Sequence, residues 1–233
     1  SYMFLGMKNI TNLDVNGWNT SNVTSMYGMF SGMSSVTSLD VSGFDTCNVT
    51  TMREMFREMG NLTSLDLSGF DTSNVTDMST MFYDMDNSTS LDVSSFDTSK
   101  VTDMSWMFSQ AGWVKMTSLN LGNLFDTSNV TDMNNMFYQF GSENLQSLNL
   151  GDKFNTSKVT NMHAMFAGLG QISSMTTLDL GDKFYTTNAT DMIYMFHATG
   201  QTSMTTIDLG PAFTKIAGTY SNVFTNIDGA VIM

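Results

Sequence analysis

The chain has 233 residues, of which 41% are hydrophobic and only 13% charged, with 22 Asp and Glu against 9 Lys and Arg. The resulting charge of −13 argues against nucleic acid and anionic lipid as partners, because both are gripped by cationic patches. A single cysteine, Cys47, leaves no internal disulfide framework and no Cys-based zinc site, and no apolar run has the length of a membrane-spanning helix.

The chain opens inside a motif: Met3-Phe4 precedes Met29-Phe30 by 26 residues, so Ser1 is expected to fall within a repeat. From there a Leu-Asp-Val or Leu-Asp-Leu phrase recurs, beginning at Leu13, Leu39, Leu65, Leu91, Leu119, Leu148 and Leu178 and closing at Ile207, with Asn in place of Asp after Leu119 and Leu148. The first three intervals are 26 residues; the next four are 28, 29, 30 and 29. A unit this short cannot bury its own apolar face, so the units are expected to stack.

The unit from Leu62 to Met85, LTSLDLSGFDTSNVTDMSTMFYDM, shows the expected elements. Leu62, Leu65 and Leu67 have the spacing of a leucine-rich-repeat strand, with Leu65 and Leu67 inward and Asp66 outward. Asp71-Thr72-Ser73-Asn74 reads as a turn, since these side chains bond their own backbone. Met78, Met81, Phe82 and Met85 stand at i, i+3, i+4 and i+7, which predicts one face of a short helix with Thr76 as N-cap and Asp77 at its positive end. The same quartet recurs from Met26 to Met192, and it accounts for most of the 23 methionines as core filler rather than as a cofactor box.

The fold class expected is therefore an α/β solenoid: a leucine-rich-repeat-like right-handed array of about eight coils, each a short parallel strand plus a short helix. It forms a single repeat domain over 1–233, with regular 26-residue coils over 1–108 and longer 28–30-residue coils over 109–233. The extra residues fall in the strand-to-turn and helix-to-strand connections. Apolar Ala230 to Met233 gives no polar cap, so the chain is expected either to be a segment of a longer protein or to be covered at its ends by neighbouring copies.

The string LTSLDLSGFDTSNVTDMSTMF resembles the 26-residue bacterial surface-protein repeat of the BspA-like leucine-rich-repeat group, from Met3 to about Phe224. That resemblance implies a secreted, lipid-anchored or wall-anchored surface protein linked to adhesion. The cysteine usual in that family three residues after Met-Phe is replaced here by Met33, Met59, Met85, Ala111, Phe140, Leu169 and Thr199.

Three kinds of candidate site follow. Asp14, Asp40, Asp66, Asp92, Asp179 and Asp208, with Asn120 and Asn149, form an outward row on the strand face. Carboxylates about 4.8 Å apart repel, so either weak Ca²⁺ or cationic-partner contacts, or hydrogen bonds from flanking hydroxyls and backbone N–H groups, must offset the cost. Tyr27, Trp106 and Tyr194, with Tyr83 and Tyr138, lie outside the repeated core and are candidate aromatic contacts, or else rest under adjoining turns. His163 and His197 occupy non-equivalent places, and no metal site is expected of them. Ten Asn-x-Ser/Thr sequons occur, many as by-products of the Asn-Val-Thr turn.

No catalytic constellation stands out, no cofactor is called for beyond weak Ca²⁺, and an enzyme is not expected. The function expected is a non-catalytic extracellular repeat scaffold of a surface protein, mediating adhesion or protein–protein interaction with other proteins or host cell-surface molecules. The alternative is a structural subunit that self-associates through its uncapped ends into a filament.

Overall fold

The computed structural model describes residues 2–214, 220–227 and 230–233; Ser1, expected inside a repeat, lies outside the described residues. Five short strands are present: β1 (Ser118–Asn120), β2 (Ser147–Asn149), β3 (Thr177–Asp179), β4 (Thr206–Asp208) and β5 (Val231–Ile232). β1 pairs in parallel with β2, and β3, β4 and β5 form a second parallel sheet in that order. The central residue of each of the first four is buried between outward neighbours, so Leu119, Leu148, Leu178 and Ile207 enter the core. In the 26-residue repeats the same alternation holds without a regular strand: Leu65 and Leu67 are buried and Asp66 is exposed.

Among the described residues there is no helix, which overturns the α/β, leucine-rich-repeat-like solenoid of strand-plus-helix coils. The Met-Phe quartets are pairs of tandem turns. In the first, the Met29 N–H donates to the Met26 carbonyl (3.2 Å) and the Met33 N–H to the Phe30 carbonyl (3.3 Å). Gly28 and Gly32, the third residue of each turn, have φ of 57° and 76°. A bond from i+3 to i with positive φ at i+2 is the type II pattern, and glycine meets it without steric cost. Elsewhere those places are held by side-chain-bearing residues in the same conformation, including Glu54 and Glu58, Thr80 and Asp84, and Trp106 and Gln110.

The reason the quartet turns rather than winds is visible in its amides. Met78, Thr80, Phe82 and Asp84 donate to the carbonyls of Asp103, Ser105, Met107 and Ser109 in the next repeat, at 2.8–3.1 Å. The intervening amides donate within the repeat: Ser79 to the Asp77 carboxylate (2.9 Å), and Met81 and Tyr83 to carbonyls three residues back. An isolated helix of two turns cannot offset its nucleation cost, whereas the adjacent repeat supplies an acceptor for every second N–H. Two tandem turns place residues i, i+3, i+4 and i+7 inward just as a helix does.

The ladder between repeats continues through single parallel bridges from Ser25 to Thr51, Asp77, Asp103, Asp132, Asn161 and Asp191. Thr76 is therefore not an N-cap. Its hydroxyl donates to the Thr50 carbonyl of the preceding repeat (3.1 Å), and Asp77 is a rung of the ladder rather than a helix-start charge.

Inside, phenylalanine rings form a column. Phe30, Phe56, Phe82, Phe108, Phe137, Phe166, Phe196 and Phe224 stack at centroid distances of 5.2–6.0 Å, with planes within 13° of parallel. The methionines of the quartets from Met26 to Met195 line this column and are almost completely buried, whereas Met3, Met7 and Met233 are exposed. A second, polar column runs beside it. The buried Thr46 hydroxyl donates to the Asp71 carbonyl (3.0 Å) and accepts from the Asp71 N–H (2.8 Å), and Thr20, Thr72, Thr98, Thr127, Thr156 and Thr186 repeat the donation.

The Asn-Val-Thr turn has a structural origin of the same kind. The side-chain amides of Asn48, Asn74, Asn129 and Asn188 donate to carbonyls of the preceding repeat at 2.7–2.9 Å. Cys47, which stands in one of these turns, is exposed.

Candidate functional site

On the strand face the acidic row is satisfied locally. In each of Asp14, Asp40, Asp66, Asp92, Asp179 and Asp208 one carboxylate oxygen accepts the backbone N–H two residues on, at 2.8–3.0 Å. Ser42, Ser68 and Ser94 add a hydroxyl to the same oxygen of Asp40, Asp66 and Asp92 at 2.6–2.7 Å. These hydroxyls, and then the backbone N–H groups, hold Asp40, Asp66 and Asp92 below the ordinary carboxylate range. For Asp40 the neighbouring charge of Asp66 opposes that shift without cancelling it. The hydrogen bonds are thus the offset that the stacked charges require. Asp179 and Asp208 line a cavity of about 510 Å³ with Asp152, Asp182 and Lys183, but among the described residues no three His, Cys, Asp or Glu side chains converge as a metal-holding group.

The turn face differs: the second, third, sixth and seventh residues of each quartet lie between the inward ones, with the arginines, tyrosines, histidines and Trp106 reaching the surface and smaller residues such as Ser31, Ser79, Ser109, Ala164 and Ala167 buried. Tyr27, Arg53 and His163 stand at the second place of their repeats; Tyr2, Glu54, Trp106 and Tyr194 stand at the third. Arg57, Tyr83, Tyr138 and His197 stand at the sixth. Both arginines, both histidines and five of the seven tyrosines of the chain (Tyr2, Tyr27, Tyr83, Tyr138 and Tyr194) therefore fall on one strip.

At one end of the strip Glu54 is the hub, with its side chain 9% exposed. Arg53 Nε lies 3.3 Å from its Oε1 and Arg57 3.6 Å from its Oε2. The Tyr2 hydroxyl donates to the Tyr27 hydroxyl, which in turn donates to Glu54 Oε1 (3.5 Å), and Tyr2 also lies 3.3 Å from Glu54 Oε2; the bond to Tyr27, with burial second, raises the Tyr2 hydroxyl well above the usual phenol range. Arg53, Glu54, Arg57, Ser79, Thr80, Tyr83 and Trp106 line a cavity of about 400 Å³.

Farther along, Trp106 joins Tyr83 (ring centroids 5.9 Å apart) to Tyr138 (6.1 Å). Across the next repeats Tyr194 contacts His163 at 6.2 Å and His197 at 5.4 Å, both edge-on. Trp106, Tyr138, His163, Tyr194 and His197 line a cavity of about 430 Å³, with Asn135, Ala164 and Ala167 between them.

Of the three aromatic candidates, Trp106 and Tyr194 thus share one cavity although they stand three repeats apart, and Tyr27 belongs to the Glu54 cluster instead. Sequence reasoning separated His163 from His197 and passed over Arg53 and Arg57. The signal lay in counting places within the quartet, because the second, third and sixth places share a face whichever repeat they come from.

One family model, described as "Mycoplasma protein of unknown function, DUF285", matches residues 1–121 and again residues 113–225. A flagellar family model matches residues 220–232 alone, too short a stretch to carry an argument. No curated protein and no solved structure matches the chain.

Proposed function

The chain belongs to this family of repeats, whose model fits it twice in tandem, and on that premise we propose that it is a non-catalytic scaffold displayed outside a bacterial cell. Its task is adhesion or protein–protein interaction, and its recognition surface is the turn face rather than the acidic strand face. The observation that carries this reading is the concentration of both arginines, both histidines and five of seven tyrosines on one strip of a chain that is otherwise rich in Ser, Thr and Asn. Rings and guanidinium groups of this kind are the usual anchors of binding surfaces. The strand-face carboxylates, by contrast, are engaged with their own backbone.

Display outside the cell is supported by the low charge content and hydroxyl-rich surface, and by the likeness of LTSLDLSGFDTSNVTDMSTMF to bacterial surface-protein repeats. The test is retention of protein-coated beads on layers of mucin, gelatin and cultured epithelial cells. The Trp106→Ala/Tyr194→Ala variant should lower retention about tenfold, as loss of aromatic hot spots does. Retention unchanged in that variant, or ordered fibres forming as the free protein is concentrated, refutes the proposal.

A further inference from the structure

The strip differs along its length, and the difference identifies an occupant. In its first half the chain places its own guanidinium groups on ring faces: Arg53 Cζ lies 5.6 Å from the Tyr27 centroid and Arg57 Cζ lies 5.4 Å from that of Tyr83. Each is also paired with a carboxylate, Arg53 with Glu54 at 3.3 Å and Arg57 with Glu58 at 2.5 Å. The ring supplies a negative face and the carboxylate a full charge, which together suit a planar cation.

In the second half the rings persist but the cations do not. The place of Arg53 is taken by Asn134, His163 and Ile193, and that of Arg57 by Tyr138, Ala167 and His197. No Lys or Arg lines the 430 Å³ cavity there. Its floor, Ala164 and Ala167, is buried and small, while Trp106 and Tyr194 stand at its ends. Beside it runs the ladder row Asp103, Asp132, Asn161 and Asp191, three of whose four members are acidic. One oxygen of each aspartate accepts a backbone N–H two residues on; the second oxygen of Asp132 accepts from the Asn161 amide (3.2 Å), and Asp191 Oδ2 lies 3.4 Å from His163 Nδ1. An acidic margin on an aromatic-walled cavity, in a chain of charge −13, is complementary to a cation.

We propose that this cavity receives an arginine side chain from a basic, extended segment of a partner protein, stacked against Trp106 and Tyr138 as Arg57 is stacked against Tyr83 within the chain itself. This rests on the turn face being the recognition surface.

Fluorescence anisotropy of a labelled peptide of alternating arginine and glycine, titrated with the whole chain, provides the test. The peptide should bind about tenfold more tightly than its glutamine analogue, the scale of a desolvated cation–π contact. Trp106→Ala should abolish that preference, and the strand-face variant Asp40→Asn/Asp66→Asn/Asp92→Asn should retain it. Ala167→Arg places a guanidinium in the cavity from within, at the place Arg57 holds in its own repeat, and should block the peptide.

Equal binding of the glutamine analogue overturns the proposal, as does equal loss in the strand-face variant, which would mean diffuse charge attraction. Binding of chitohexaose in a Trp106-dependent manner, without the arginine peptide, assigns the cavity to a glycan and overturns the cation. If the peptide fails while bead retention still depends on Trp106, the recognition face stands and its cationic ligand falls. If retention is independent of Trp106, the face falls too.

Discussion

Replacing Thr80 with glycine decides between a turn and a helix at the Met-Phe quartets by the sign of a single stability change. Thr80 has φ of +57°, a region that costs an L-residue about 1–2 kcal/mol and suits a β-branched side chain least. Its two backbone bonds, from its N–H to the Ser105 carbonyl (2.8 Å) and from the Tyr83 N–H to its own carbonyl (3.3 Å), survive the substitution. Against the relieved strain stands the extra freedom glycine gives the unfolded chain, about 0.4–1 kcal/mol, and the loss of a half-buried side chain. The balance is a stabilisation of about 0.5–1 kcal/mol, or roughly 1–4 °C in melting temperature for a chain of this size. In a helix the same change would destabilise by about 0.3 kcal/mol. Urea and thermal unfolding followed by tryptophan fluorescence measure it, and a lowered midpoint refutes the tandem-turn account.

Thr46→Val keeps the shape of a buried side chain but leaves both the N–H and the carbonyl of Asp71 without their hydroxyl partner, so urea unfolding should show a loss of about 2 kcal/mol, with Thr46→Ser losing less. Gly151→Ala should cost about 3 kcal/mol or more, seen as poor expression or an early thermal transition, because its φ is +77° and a Cβ there would run into the Gly122 carbonyl oxygen. Asp86 is pushed up from 3.8 to about 6, chiefly by burial and then by the charge of Asp84. With the folded pKa above the unfolded one, its stabilising contribution is complete below pH 3.8 and is lost as pH rises through about 6. Asp86→Asn should therefore melt above the parent at pH 7.5, by about 1 kcal/mol after screening, and with it at pH 3.5; a gap that grows on acidification contradicts this.

Repeat length, the inward Leu and outward Asp of each Leu-Asp-Val phrase, and the buried methionine–phenylalanine seam were legible because burial follows periodicity. The backbone of the quartets was not. Met78, Met81, Phe82 and Met85 turn inward from two tandem turns as they would from two turns of helix, so apolar spacing has equal power for both. Glycines at Gly28 and Gly32 hint at the left-handed residues, but Glu54, Thr80 and Trp106 at the same place hide the rule. The hydroxyl of Thr72 looked like turn chemistry and is instead a buried bond to the next repeat, since its partner, Asp97, lies 25 residues away. For the site, the residue types were in view; the shared cavity of Trp106, Tyr138, Tyr194 and the two histidines depended on how successive turns overlay one another.

In the phenylalanine column each of the inner rings lies against the ring one repeat earlier and the ring one repeat later. A tensile load applied at the two ends of such a stack detaches terminal repeats in succession instead of shearing the whole at once. Every 26-residue unit released pays out about 90 Å of extended chain, at roughly 3.4 Å per residue. The molecule would then behave as an extensible tether, dissipating force in steps while the repeats still stacked keep their side chains in place.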